Sequence, residues 1–310
     1  MTITELSQFS QARKEFLAYL KYTKGHRDTT CYNYGSDLNI WERWLKEAEL
    51  DWREVSPVDL ERYVATLSRN GTGPHAVARK VSSLATFYKW AKRQGLVEDD
   101  PVYLIEKPKR PRRIPVWMEK EEQAALYKAM RNHDDIPDTI FGRPRAALLA
   151  IRQRYELLFE LIQKTGLRIS EALGLKVQDV RVVDGVARSI RVIGKGNKER
   201  LVPVPDSFGR VFALSLAGKP TSEYVFAKSP GGKPMTARAA RDYLGKLVEK
   251  AGIEKPITPH KLRHTYATRL LENNAQLIDI QALLGHESIA TTQIYTHAGQ
   301  ERLSKLVEGL

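Results

Sequence analysis

Cysteine is almost absent from this 310-residue sequence, with Cys31 standing alone. A single thiol cannot close an intramolecular disulfide and makes a cysteine-based metal site implausible, which fits a reducing cytosol. Long apolar runs are missing too. No stretch approaches the roughly 18 residues that a membrane-spanning helix needs, and Met1-Thr-Ile-Thr-Glu5 lacks the basic segment and apolar core of a secretory leader. A cytoplasmic protein with no membrane partner is expected. The glycine-rich turns lack the P-loop pattern, so no nucleotide site of that kind is expected, and there is no internal repeat. Acidic residues are missing from one place in particular: positions 62 to 97 hold seven Lys or Arg and no Asp or Glu. One surface of that region should be positive.

Against these absences stands an excess of positive charge. The chain has 50 Lys+Arg and 37 Asp+Glu, a net of +13. Residues 1–105 contribute 15 basic and 14 acidic side chains, so nearly all of the excess falls in 106–310, with 35 and 23. A polyanionic partner suits such a balance, because each neutralised phosphate releases counterions. The length allows two domains, each with its own core, and a hydrophobic fraction of 42% with interspersed charge argues for a globular protein.

Helical spacing runs through the first 100 residues. Phe9, Phe16, Leu17 and Leu20 form one stripe, and Tyr34, Leu38, Trp41, Trp44 and Leu45 a second, in a helix from about Thr29. Ser56-Pro57-Val-Asp59 reads as a helix start, with a serine cap, proline in the first turn and aspartate at the positive end of the dipole. A fourth helix follows Gly73-Pro74. It turns Val77, Val81, Leu84, Phe87, Tyr88 and Ala91 inward and counts Arg79, Lys80, Lys89, Lys92 and Arg93 among its polar positions. Residues 1–105 should therefore be a compact four-helix domain with a basic exposed face. Residues 106–115 hold three prolines and the cations Lys107, Lys109, Arg110, Arg112 and Arg113. This reads as an extended basic linker; alone it would be an even match for a solvated charge run, but between two positive domains it is a candidate to lie along DNA phosphates.

Residues 116–310 should form a second domain. A helix is expected near 120–130, then a polar surface loop or insertion over 132–144, then a helix over 145–164 that stops at Thr165-Gly166. Ser170 is a candidate cap for the next helix, with Glu171 in its first turn. Strand signals at 180–183 and 186–193 flank an Asp184-Gly185 turn, and a third at 200–204 follows the turn at 194–198. Helical pattern resumes at Asp206, is interrupted at 229–234, and returns at Thr258-Pro259. The fold class is mainly α, with one small three-stranded sheet.

Three short segments near the C-terminus carry chemistry: His260-Lys-Leu-Arg263-His264, Leu284-Gly-His286 and Ile294-Tyr295-Thr-His297. An enzyme that attacks phosphorus with a tyrosine needs that nucleophile, cationic donors for the non-bridging oxygens, and an acid for the leaving alcohol. His260 and His264 at i, i+4 would also suit zinc, but a zinc protease helix wants glutamate after the first histidine and Lys261 stands there. No metal is expected. His264 is assigned to packing or hydrogen bonding within the fold, and His297 is left without a role. Most of the 13 tyrosines, Tyr266 among them, should be packing residues.

Taken in order, Thr165-Gly-Leu-Arg168-Ile-Ser-Glu171, the turn lysine Lys195, His260-x-x-Arg263-His264, Leu-Gly-His286 and Tyr295 resemble the tyrosine recombinase (phage integrase) family, most closely its simple Xer-like members. The resemblance covers essentially the whole chain. It implies a helical, SAM-like core-binding domain and a catalytic domain of the DNA breaking-rejoining type, closing on DNA as a C-shaped clamp. It implies that Arg168 and Arg263 grip the scissile phosphate, which suits planar forks. Glu171 would support Arg168, though alone it is an ordinary first-turn carboxylate. Lys195 would act as general acid on the leaving 5′-oxygen, His260 would assist proton transfer, His286 would donate to a non-bridging oxygen, and Tyr295 would be the nucleophile. The product is a 3′-phosphotyrosyl link, formed without cofactor, metal or ATP. Partners implied are a double-stranded recombination site and a homotetramer joining two sites. Leu303, Leu306, Val307 and Leu310 form an apolar stripe on a terminal helix that would dock on its own subunit or, as the family favours, on a neighbour. The chain is expected to begin directly with the core-binding domain, which fits chromosome-dimer resolution or a mobile element. A second recombinase or an activator, a type IB topoisomerase-like activity, and a DNA-binding protein that has lost catalysis stay open as alternatives.

Overall fold

The computed structural model describes residues 3–103, 116–140, 142–194, 199–285, 303 and 305–308. It divides into two compact units, Met1–Arg113 and Ile114–Leu310. Among the described residues no helix is long and apolar enough to cross a membrane.

The first unit contains α1 (Ile3–Ala18), continued by a π-helical turn, α2 (Asp28–Glu47), α3 (Pro57–Arg69) and α4 (Pro74–Arg93). Aromatic residues at helical spacing build its core. Phe9, Phe16, Trp41, Trp52, Tyr63, Phe87 and Tyr88 are all buried, with edge-to-face pairs such as Trp41–Tyr63 at 4.8 Å and Phe9–Phe87 at 5.5 Å between ring centroids. Such pairs contribute about 0.5–1.5 kcal/mol each beyond their buried area. The expected cap of α3 is present: Asp59 N donates to Ser56 Oγ and Ser56 N donates to Asp59 Oδ2. Behind the aromatic core, Asp37 of α2 is buried against α4. It accepts from Arg79, from Ser83 Oγ at 2.8 Å and from Lys80 Nζ at 3.4 Å.

The second unit runs α5 (Lys120–Arg131), β1 (Thr139–Ile140), β2 (Arg143–Pro144), α6 (Arg145–Thr165), α7 (Ile169–Gly174), β3 (Val180–Val183), β4 (Val186–Ile193), β5 (Glu199–Pro203), α8 (Asp206–Leu216), α9 (Ala237–Lys250), α10 (Pro259–Glu272) and α11 (Leu277–Leu284). The expected sheet is antiparallel in the order β3-β4-β5. Asp184 and Gly185 turn its first hairpin with φ of 50° and 72°, a conformation that glycine and aspartate tolerate. Gly209 lets α8 lie on β4, since a Cβ there would fall 2.6 Å from the Ala187 carbonyl oxygen. α6 supplies Leu158, Phe159, Leu161 and Ile162 to a core shared with the sheet and with α9 and α10.

The 132–144 stretch is fastened to its own unit. Asp135 binds Arg152 at 2.7 Å and Lys250 at 2.9 Å, and those hydrogen bonds hold its carboxyl at about 2. The terminal stripe docks on the same subunit: Leu303 and Val307 are buried against Tyr266, Leu270, Leu283 and Leu284. Glu308 also accepts from Asp206 N at the start of α8. Leu310 lies outside the described residues.

Candidate active site

Two helix ends and one strand deliver the central groups. α6 ends at Gly166, whose φ of 65° no β-branched or bulky residue would take readily, and the chain reverses into Arg168 at the N-cap of α7. Sequence reasoning placed the cap at Ser170; the helix instead starts at Ile169, because Glu171 Oε2 accepts from Arg168 N at 2.8 Å and so satisfies the first turn. α10 opens at Thr258, whose hydroxyl accepts from Lys261 N at 3.4 Å, and so carries His260 and Arg263 on adjoining turns. α11 ends at Gly285, with φ of 66°.

At the centre lies Glu171. Arg168 Nη1 donates to its Oε1 at 2.8 Å. Arg200 of β5 grips both oxygens, Nη1 to Oε1 at 3.1 Å and Nη2 to Oε2 at 2.9 Å. Arg263 Nη1 stands 3.9 Å away. Burial alone would push the Glu171 carboxyl up, but the hydrogen bonds and charge of Arg200, joined by those of Arg168, hold it down at about 2. Arg263 is 5% exposed. It donates to the Gly166 carbonyl at 2.7 Å and to the Leu284 carbonyl at 2.6 Å. Burial, followed by repulsion from Arg168, brings its guanidinium down to about 10, so it stays charged at neutral pH. Arg168 is the open member, with 39% of its side chain exposed; its Nη2 reaches the Gly285 carbonyl at 3.2 Å.

Exposed His260 has its pKa lowered, by partial desolvation first and then by Arg263, His264 and Arg168, which favours the neutral imidazole. His264 packs edge-on against Trp117, at 6.3 Å between ring centroids. Tyr266 is buried and its phenol pushed up by desolvation, which suits packing and not nucleophilic attack. Lys195, His286 and Tyr295 lie outside the described residues, as do His297 and the linker cations Lys107, Lys109, Arg110, Arg112 and Arg113. No cluster of metal-ligating side chains occurs among the described residues.

In the first unit Arg79, Lys89, Lys92 and Arg93 are exposed on α4, with Lys92 paired to Asp99 at 2.8 Å. Lys80 departs from the exposed face expected of it, since it is 8% exposed and turned to Asp37. Arg200 is the residue that sequence reasoning passed over, as an ordinary strand position. A signal was present: alternation along β5 puts it on the side of buried Val202, where an arginine must find a carboxylate.

Comparison with known proteins places the chain among relatives of one family. The Phage integrase family profile matches residues 116–302, and that of the phage integrase N-terminal SAM-like domain matches 14–95. Tyrosine recombinase XerC of Oceanobacillus iheyensis is 35% identical over 300 residues, 93% of this chain and 92% of that protein. Tyrosine recombinase XerD of the same organism is 31% identical over 306 residues, 96% and 97%. A lambda integrase tetramer bound to a Holliday junction shares the fold with a TM-score of 0.68 at 20% identity, over 94% of this chain and 79% of that one.

Proposed function

The chain belongs to the phage integrase family of tyrosine site-specific recombinases, and from that membership we propose that it cuts and rejoins duplex DNA through Tyr295, with Arg168 and Arg263 gripping the scissile phosphate. The observation that carries this reading is the convergence of those two guanidiniums beside Glu171, half-open Arg168 hydrogen-bonded to the carboxylate and buried Arg263 held near it by the Gly166 and Leu284 carbonyls. Planar forks fixed in advance stabilise the charge that builds on the non-bridging oxygens during attack.

The phenol oxygen of Tyr295 attacks phosphorus and the 5′-oxygen departs. Neutral His260 accepts the phenol proton and the Lys195 ammonium supplies one to the leaving oxygen; His286 donates to a non-bridging oxygen. The 3′-phosphotyrosyl bond keeps the energy of the phosphodiester, so a second 5′-hydroxyl reverses the step and neither ATP nor a metal is required. Exposed Arg79, Lys89, Lys92 and Arg93, with the linker cations, neutralise flanking phosphates. Four protomers join two sites, and the tail helix passes to a neighbour when they assemble. Similarity to both XerC and XerD relatives supports resolution of chromosome dimers, with integration or excision of a mobile element as the second reading.

The test is incubation of wild type and Tyr295→Phe with nicked suicide duplexes drawn from the host's candidate sites, without divalent metal. A covalent protein–DNA adduct with wild type alone establishes the nucleophile, and whether the reactive site lies in the chromosome or at the ends of an element decides the role. Binding without an adduct would favour a non-catalytic binder.

A further inference from the structure

The last carbonyls of a helix have no partner inside it, and they form the negative end of its dipole. At α11 three successive carbonyls are taken by three different arginines: Leu283 by Arg200 Nε at 3.2 Å, Leu284 by Arg263 Nη2 at 2.6 Å, and Gly285 by Arg168 Nη2 at 3.2 Å. The same three guanidiniums face Glu171 from the N-cap of α7, from β5 and from α10. Arg168 and Arg263 belong to the proposed phosphate grip. Arg200 carries no such assignment; with 10% of its side chain exposed, it spends both Nη groups on Glu171 and its Nε on α11.

We propose that Arg200 is a positioning residue for strand cleavage, which locks Glu171, and through it the Arg168 fork, to the end of α11 just before residue 286. The inference rests on the catalytic reading given above. Three features make Arg200 suited to the task. Its contact with Glu171 is bidentate, which fixes the plane of the carboxylate as well as its place, so that the oxygen facing Arg168 Nη1 cannot rotate away. It comes from a strand with a fixed register, Arg200 opposite Val192 in the sheet, so it is anchored independently of both helices. It also fits so closely under Gly285 that a Cβ there would sit 3.1 Å from its Nη1 and 3.2 Å from its Cζ. Glycine in the Leu284-Gly285-His286 element is thus favoured twice, by a left-handed backbone and by the close approach of the guanidinium beneath it. Small displacements of a group that orients reacting atoms cost rate out of proportion to their size, on the order of 10²-fold for about 1 Å.

The experiment uses the full chain and the nicked suicide duplex. Single-turnover cleavage at saturating DNA, half-site affinity and thermal midpoint are measured for wild type, Arg200→Met, Arg200→Lys, Glu171→Gln and the Arg200→Met/Glu171→Gln double variant. The expected result is a cleavage rate constant about 30-fold lower in Arg200→Met with affinity within about twofold. Arg200→Lys keeps the charge but not the fork and should recover only part of that loss. The double variant should be no slower than the slower single variant, because both act through one carboxylate. Should Arg200→Met fail to fold, Arg200→Lys and Glu171→Gln carry the same split between rate and affinity. Equal cleavage by wild type and Arg200→Lys or Arg200→Met, affinity falling in step with rate, or additive losses in the double variant would overturn the role of Arg200. Absence of any adduct with wild type would instead overturn the catalytic reading itself, and the positioning role with it.

Discussion

Asp37 in the first unit and Glu171 in the second are carboxylates set among cations, and the two clusters are built differently. Asp37, 1% exposed, takes all three partners from a single helix, Arg79, Lys80 and Ser83 of α4. It staples α2 to α4. Glu171 takes its partners from three elements, and those partners go on to hold carbonyls at the ends of α6 and α11. A buried carboxylate ringed by cations is therefore no mark of function by itself. What separates the second cluster is that the donors left over from the carboxylate are committed to helix ends, so that several chain segments are fixed about one point with Arg168 opening onto solvent.

The largest effect expected from this contrast is on stability. Asp37→Ala leaves Lys80 buried without a counter-charge and should cost about 3–5 kcal/mol. Urea unfolding followed by tryptophan fluorescence reads it, since Trp41, Trp44, Trp52 and Trp90 all lie in that unit. Cleavage by the folded fraction at saturating DNA should stay within about twofold of wild type. A cleavage defect without a stability loss would erase the distinction between the clusters. Next comes Arg263→Gln, which removes a charged donor from the proposed phosphate site and should slow cleavage about 10²- to 10³-fold. Half-site affinity should change far less than rate, and a variant that cleaves within tenfold of wild type would show that the buried guanidinium is only a brace.

The sequence made much of this legible where local chemistry dominates. The Ser56/Asp59 cap, the Asp184-Gly185 hairpin and the Gly166 stop are each set by a residue whose own backbone preference decides the outcome. Arg168, Glu171 and Arg263 stand out only through the resemblance to the recombinase family, and the structure brings these three together. The burial of Lys80 and the ion pair of Arg200 are not legible in the sequence, for one shared reason. Helical or strand periodicity says which face a residue is on, but not whether a carboxylate from a distant segment waits there; Asp37 lies 43 positions from Lys80, and Glu171 lies 29 from Arg200. The start of α7 was misplaced for a related reason, since Glu171 caps the turn from within and leaves Ser170 without that role.

Two glycines with left-handed backbone offer a smaller and more local version of the same contrast. At Gly71, φ 76°, an added Cβ would have nothing within 4 Å, whereas at Gly166, φ 65°, it would fall 2.4 Å from the Tyr266 ring and 3.0 Å from Leu284. Gly71→Ala should cost only the conformational term, about 1 kcal/mol, and leave cleavage alone. Gly166→Ala must also displace the Tyr266 ring and disturb the carbonyl that Arg263 holds, so about 2–3 kcal/mol and a measurable loss of cleavage rate are expected. Equal costs for the two substitutions, in urea unfolding and in single-turnover cleavage, would mean that the site tolerates more movement than its packing implies.

The smallest effect is the pH dependence of cleavage, and it tests which group in the second cluster titrates during turnover. Glu171 is held at about 2, so its charge and the stability it lends are present above the ordinary carboxylate range and are lost only as pH falls toward 2. It cannot shape the rate above the ordinary carboxylate range. His260 faces Arg263, His264 and Arg168, and its pKa lies below 6.5 because partial burial and those cations disfavour the imidazolium. If His260 takes the phenol proton, the rate constant should be flat, within about twofold, from about pH 8 down to about 6.5, and should fall only below that as the imidazole is protonated. His260→Gln should be slower at every pH and should lack this acid limb. A limb centred at or above about 6.5, or one that persists in His260→Gln, would move the proton acceptor to another group and leave His260 as a hydrogen-bond donor to the phosphate.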